Sequence, residues 1–213
     1  MKKLMVVLLV LLVPGGLLRG ERPQDPPVGG RQDHLLAQIA KATADVQTLA
    51  SDFIQERHLD LLENVLISKG RFYYKKENRL RWELTEPVLA GFAVNGDKAR
   101  RWRGPSGPTQ TFEVHSVPFI KVFADQVLAW ARADFAQLRR RYRITVLGEA
   151  PADLELVPVY AQEQKYLDHL RIVFAPDASH VRSVEVYEIG GDFTRVCFSN
   201  TIINEPLRDA LFD

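Results

Sequence analysis

At 213 residues, 46% of them apolar, the chain is long enough for one domain with a substantial core. Its 28 basic and 27 acidic residues leave a net charge of +1, which excludes a general electrostatic drive toward nucleic acid or anionic membrane. A single cysteine excludes an internal disulfide.

The N-terminus opens with the basic Met1-Lys2-Lys3, followed by an unbroken apolar run from Leu4 to Val13 and the breaker Pro14-Gly15-Gly16. That run is too short to span a bilayer as a helix, so residues 1–20 read as a secretory signal, with an uncleaved N-terminal anchor as the alternative. Leu17-Leu18-Arg19-Gly20 places glycine where a lipoprotein would need cysteine. The mature protein is therefore expected to be exported, soluble and free of a lipid anchor. Loss of Lys2, Lys3 and Arg19 would leave it slightly acidic. Residues 21–33, rich in proline, glycine and charge, read as a linker, and residues 34–213 as the folded domain.

Asp33 can cap a helix running through Thr48, with Leu35, Leu36, Ile39, Ala40, Val46 and Leu49 as its apolar stripe. Strands are expected over Ser51–Leu59, Leu66–Lys75, Leu80–Glu86, Leu89–Val94 and Lys98–Trp102, the last two joined by an Asn95-Gly96 hairpin turn. Gly104-Pro105-Ser106-Gly107-Pro108 is a loop. The period then changes: Phe119, Val122, Phe123, Val127, Trp130, Ala131, Phe135 and Leu138 recur at helical spacing. This predicts an amphipathic helical segment, broken once and started by Ser116 and Pro118. Alternation returns over Tyr142–Leu147, Asp153–Val157, Leu167–Phe174, Val181–Glu188 and Phe193–Thr201, with turns at Ala175-Pro176-Asp177 and Gly190-Gly191-Asp192. Cys197, inside the last strand, reads as a small buried apolar residue rather than a reactive thiol.

The hairpin from Gly70 to Pro87 organises these elements. Phe72 and Tyr74 share one face of its first strand, and Leu80, Trp82 and Leu84 one face of its second. Arg71, Tyr73, Lys75, Arg79, Arg81 and Glu83 occupy the opposite face, and Lys76, Glu77 and Asn78 make the turn. One face is therefore aromatic and covered, the other charged and wet. An antiparallel sheet of about ten strands must curl or close. The expected architecture is α+β: a curved, unclosed antiparallel barrel of 10–11 strands, with an N-terminal helix and a central helical insert over its concave side.

Phe53-x-Gln55, Gly70-x-Phe72, Leu80-x-Trp82 with Pro87, Asn95-Gly96, Gly191-Asp192-x-Thr194 and Phe198-x-Asn200, in this order and spacing, resemble the periplasmic lipoprotein carriers, the LolA-like proteins. The resemblance covers Leu35 to Phe212. It implies an unclosed barrel with an α-helical lid and an apolar cavity. It also implies a soluble periplasmic carrier that receives acylated lipoprotein from an inner-membrane exporter and passes it to an outer-membrane acceptor. The best-known members carry arginine and proline in the hairpin turn, where the arginine helps to hold the lid. Here Lys76 and Glu77 stand there, and lysine offers a point charge rather than a planar fork. Lys76 and Arg79 are the candidates for a turn-to-lid contact, although alternation points Arg79 and Arg81 toward solvent. The long insert with Trp130 and Phe135 resembles divergent members, which are expected to serve specialised lipid or glycolipid export.

Each buried methylene is worth about 0.8 kcal/mol, so one long acyl chain is worth roughly 10 kcal/mol against water. A carrier needs no catalyst, metal or cofactor, only an apolar cavity that opens. Candidates for its lining are Phe72, Tyr74, Leu80, Trp82, Leu84, Phe92 and Val94 from the sheet, and Phe119, Phe123, Val127 and Trp130 from the helices. The alternative is a closed core of the same composition.

Catalytic readings are poorer. His34, His58, His115, His169 and His180 are scattered without metal-ligand spacing. His58, Asp60 and Glu56 share a strand face that reads better as solvated. Pro105 and Pro108 make Gly104–Gly107 a turn rather than a nucleophile elbow. Arg139-Arg140-Arg141 with Arg143 suits either a solvated helix end or a contact with headgroups or an acidic partner. A lipid-sensing regulatory module of the envelope stress response stays open as a second function. Such regulators carry a further domain, for which this sequence leaves no expected room. No nucleic-acid partner is expected, and the carrier is expected to be a monomer.

Overall fold

The computed structural model describes residues 30–104 and 107–213, apart from the side chains of Pro118 and Phe119. The expected signal, most of the linker, and Pro105 and Ser106 of the central loop lie outside the described residues. Helix α1 spans Arg31–Ala44, earlier at both ends than the sequence suggests. Gly30 precedes it with φ 139°, and Asp33 lies in its first turn, paired with Arg139 rather than capping. Val46, Thr48 and Leu49 do not extend the helix. Thr48 and Leu49 open a strand, where pairing on both sides outweighs helical periodicity.

Eleven strands follow: β1 (Thr48–His58), β2 (Leu66–Lys75), β3 (Arg79–Glu86), β4 (Ala90–Asn95), β5 (Lys98–Arg103), β6 (Gln110–Glu113), β7 (Tyr142–Glu149), β8 (Ala152–Pro158), β9 (Leu167–Phe174), β10 (Val181–Glu188) and β11 (Phe193–Ile203). They form one antiparallel sheet in the order β6-β5-β4-β3-β2-β1-β11-β10-β9-β8-β7. The first and last strands pair at its centre. The edges β6 and β7 do not meet, so the barrel is unclosed. The four-residue β6 is the strand that sequence periodicity missed. Two turns of alternation give little signal, and its pairing with β5 defines it.

Helix α2 (Pro118–Ala131) and the single turn α3 (Phe135–Leu138) separate β6 from β7. Pro118 takes the first helical position, while Ser116 closes a preceding 3-10 turn by donating to the Glu113 carbonyl. The expected break falls at Ala133, with φ 46°. Asp134 then caps α3 by accepting from the Gln137 amide at 2.9 Å. The Asn95-Gly96 turn is present, with Gly96 at φ 61° as the tight hairpin requires.

The inward face is one hydrophobic cluster to which α1 contributes Leu36 and Ile39, and α2 contributes Phe123, Val127 and Trp130. Gly70 is needed for the packing. A Cβ there would stand 2.3 Å from the Phe53 ring, which lies over its cross-strand partner. The outward face of the organising hairpin is less wet than alternation implies, because the C-terminal segment lies across it. Asp209 pairs with Lys75 at 2.5 Å and Arg79 at 2.7 Å, the Leu211 carbonyl accepts from Arg81, and Phe212 is buried. Cys197 also departs from expectation: it is exposed on the outward face of β11, and burial of the sulfur still pushes its pKa up. The basic run is divided between partners. Arg139 pairs with Asp33 and Arg141 with the buried Glu163, while Arg140 and Arg143 are exposed.

Candidate functional site

Strand alternation turns Phe53 of β1, Phe72 of β2, Trp82 of β3 and Phe198 of β11 to the same interior. Trp82 is the hub of this group. Its ring centroid lies 4.3 Å from Phe53, 5.8 Å from Phe72 and 6.1 Å from Phe198. From the opposite side, Phe123 of α2 meets Trp82 edge-on at 5.6 Å and Phe92 at 5.2 Å. The helix and the sheet thus meet through aromatic edges and faces, a favoured geometry for ring pairs.

Beside this contact lies a cavity bounded by Phe72, Trp82, Val127 and Trp130 of the expected lining. Leu49, Ala131, Val181, Val184 and Phe198 complete it. Tyr74, Leu80, Leu84, Phe92, Val94 and Phe123 are buried in the surrounding core, and the Phe119 side chain lies outside the described residues. The space open to the centre of a water-sized sphere is about 30 Å³. At about 10–15 Å³ per water, that is room for two or three waters and not for an acyl chain. This cavity is therefore nearly filled by the side chains around it. Leu49 was hidden in the sequence by its assignment to the helix. Val181, Val184 and Phe198 sit on strands that were recognised, but their place around the cavity depends on the barrel bringing β10 and β11 opposite α2.

The interior is not apolar throughout. Ser51 of β1 is buried between Leu49 and Phe53, and Gln55 and Arg57 of β1, Ser68 of β2 and Thr194 of β11 are buried farther from the cavity. Burial pushes the Arg57 pKa down against the opposing charges of Glu188 and Asp192. Period-two reading assigns a face to such residues but does not say that a buried face can be polar.

Polar contacts tie the helices to one another and to the hairpin turn. Arg132, at the C-terminus of α2, donates to the Asn78 side chain at 3.0 Å. Its carbonyl accepts from Thr43 of α1 at 3.3 Å. Lys76 donates to the Ala44 carbonyl at 3.1 Å, and Arg139 pairs with Asp33. Lys76 thus reaches α1, whereas the ion pair of Arg79 is with Asp209 on the outside. The turn meets α2 through Asn78, with the arginine supplied by the helical side.

The conceivable Glu56–His58–Asp60 site is a surface arrangement. His58 stacks on Phe193 at 4.0 Å, and Glu56 faces Arg195 at 3.5 Å. Among the described residues no group of His, Cys, Asp or Glu has a metal-binding arrangement, and no helix is long and apolar enough to cross a membrane.

Among solved structures, the chain is similar to Pseudomonas aeruginosa MucB in its complex with MucA. Identity is 15% and the TM-score 0.50, over 84% of this chain and 59% of that one. A DUF1329 family protein from Desulfovibrio piger matches at 13% identity and TM-score 0.49, over 84% and 95% of the two chains. A LolA superfamily protein from Nitrosomonas europaea matches at 10% identity and TM-score 0.42, over 85% and 96%. No curated protein matches. The profile of one family, the outer membrane lipoprotein carrier protein LolA, matches residues 44–213, from the end of α1 through the C-terminal segment. The chain belongs to the LolA family of outer membrane lipoprotein carrier proteins.

Proposed function

We propose that this chain is an exported, soluble periplasmic carrier that shields the acyl chains of lipoproteins or related lipids and moves them from the inner to the outer membrane. In this reading residues 1–20 are the export signal. An inner-membrane exporter is the donor and an outer-membrane protein the acceptor. The observation that carries the reading is the apolar cavity between the aromatic sheet face and α2, lying beside a helix held at its end by a few polar contacts.

The cavity must grow to take cargo, and the way to enlarge it is to lift α2. Phe123, Val127 and Trp130 would then leave the core. Three such side chains are worth roughly 5–9 kcal/mol, comparable with about 10 kcal/mol for one acyl chain. The exchange is close to balanced, which suits a carrier that must release what it binds. Phe72, Tyr74, Leu80, Trp82, Leu84, Phe92, Val94, Phe119, Phe123, Val127 and Trp130 are the residues that acyl chains would meet in the opened barrel.

Purified protein should bind bis-ANS saturably with a stoichiometry near one, and free fatty acid should compete. Non-saturable binding, or none by a demonstrably folded sample, would favour a closed core. Fractionation of the native host should place the protein in the periplasm. Palmitate labelling, or retention in the membrane pellet after a salt wash, would contradict that placement.

A further inference from the structure

One residue at the border of the cavity holds a polar atom that the apolar reading leaves without a purpose. The Trp130 ring borders the cavity, and the Trp130 Nε1–H is shielded from solvent without a hydrogen-bonding partner among the described residues. An indole N–H can only donate. The other lining side chains, Leu49, Phe72, Trp82, Val127, Ala131, Val181, Val184 and Phe198, contain no acceptor oxygen. Leaving a buried donor unpaired is costly, so such an atom calls for an explanation.

Its position suggests one. Trp130 stands two residues before Arg132, whose side chain joins α2 to Asn78 in the hairpin turn. This is the end of the interior where the helix must separate from the barrel. A second unpaired donor lies on the same side. Tyr74 is buried, its hydroxyl has no partner among the described residues, and it sits opposite the cavity-lining Leu49 across β1 and β2. Burial raises the pKa of that hydroxyl, so it stays a protonated donor at neutral pH.

The geometry points to Trp130 as a specificity residue whose Nε1–H donates to an ester carbonyl of the cargo, fixing the acyl chain by its head while the hydrocarbon runs toward Trp82 and Phe72. The inference rests on the carrier reading and narrows its ligand to acyl esters, as distinct from plain alkyl chains. A carbonyl at this place would accept from that donor directly. An alkyl ether of the same shape has no carbonyl and would leave it unmet.

The test compares dipalmitoylglycerol with its di-O-hexadecyl ether analogue, both as displacers of bis-ANS. Wild-type protein should prefer the ester about five-fold, the equivalent of one net hydrogen bond. Trp130→Phe should bring that ratio close to one, whatever it does to the affinity for either lipid. A second measurement uses the wild-type chain alone. The indole N–H resonance of Trp130, assigned by its disappearance in Trp130→Phe and set against Trp82 and Trp102, should move downfield with the ester and not with the ether. If the two lipids bind equally well, or the resonance responds alike to both, the ester subsite is overturned and the carrier reading stands. If neither lipid displaces the probe, the carrier reading fails and takes the subsite with it. Should Trp130→Phe not fold, the wild-type ratio and resonance decide the question without it.

Discussion

The inside of the barrel under α2 and the outside of strands β1 and β8–β11 are made from the same alternation and hold together by different physics. On the outside, Glu56, Arg195, Glu185 and Arg171 stand opposite one another across β1, β11, β10 and β9, with signs alternating. Arg195 meets Glu185 at 2.7 Å and Arg171 meets Asp153 at 2.7 Å, the latter bidentate. Cross-strand pairs of this kind specify register and lock neighbouring strands. On the inside, helix and sheet meet around Trp82 through aromatic rings and a small cavity, and Arg132 at the end of α2 makes polar contacts with the hairpin turn and with α1. Directional bonds fix the wall. Non-directional apolar contact holds most of α2.

The largest expected effect breaks the hub that both sides of the interior share. Trp82→Ala should cost about 3–5 kcal/mol, because Trp82 is 3% exposed and touches four aromatic rings. Thermal unfolding measures this, and a loss under about 1 kcal/mol would mean that the Trp82 ring is not close-packed. Trp82→Glu should collapse the fold outright, since it would also bury an unpaired carboxylate.

On the outer wall, Glu185→Gln should cost about 1–2 kcal/mol, discounted because both arginines keep access to water. Burial alone would raise the Glu185 pKa. Hydrogen bonds from Arg195 and Tyr187, with the charges of Arg195 and Arg171, outweigh it and hold the carboxyl below its ordinary value of 4.5. A depressed folded-state pKa stabilises the protein above that ordinary value, and the contribution is lost as the pH falls through the depressed one. Urea unfolding should therefore show a decline in stability below about pH 4.5 that is shallower in Glu185→Gln. Parallel curves for the two proteins would remove Glu185 as a source of acid sensitivity.

Arg132→Ala sharpens the contrast at smaller cost. One part-exposed hydrogen bond to Asn78 and a cap on the Leu128 carbonyl are worth about 1 kcal/mol together. Stability should barely change, while bis-ANS should enter several-fold faster by stopped flow. Equal rates would show that the end of α2 does not gate entry. Cys197→Ser, on the outward face, should alter stability by less than about 0.5 kcal/mol and leave probe binding unchanged.

Much of this contrast is legible in the sequence, because both faces of a strand are written in its period. Phe72, Tyr74, Leu80, Trp82 and Leu84 declare the inside, and Asn95-Gly96 and Gly190-Gly191 declare turns. What was not legible depends on contacts between distant parts of the chain. Leu49 reads as helical until β2 and β11 pair around it. Arg79 and Arg81 read as solvated until the C-terminal segment, more than a hundred residues later, lies across them. Arg132 looks like one more polar position of an amphipathic helix, and only the fold puts it beside Asn78. The cavity is the extreme case, since filling a core and leaving a gap in it use the same residue types.

The central claim is that α2 must leave the barrel for cargo to enter, and holding it in place tests this most directly. In a Cys197→Ser background, Asn78→Cys and Arg132→Cys would place thiols on the hairpin turn and on the end of the helix, to be joined by a short, reducible bis-methanethiosulfonate linker. The account predicts that the linked protein stays folded and takes up no fluorescent fatty acid, and that reduction restores saturable binding. Uptake by the linked protein equal to that of the reduced one, at the same stoichiometry, would contradict the account.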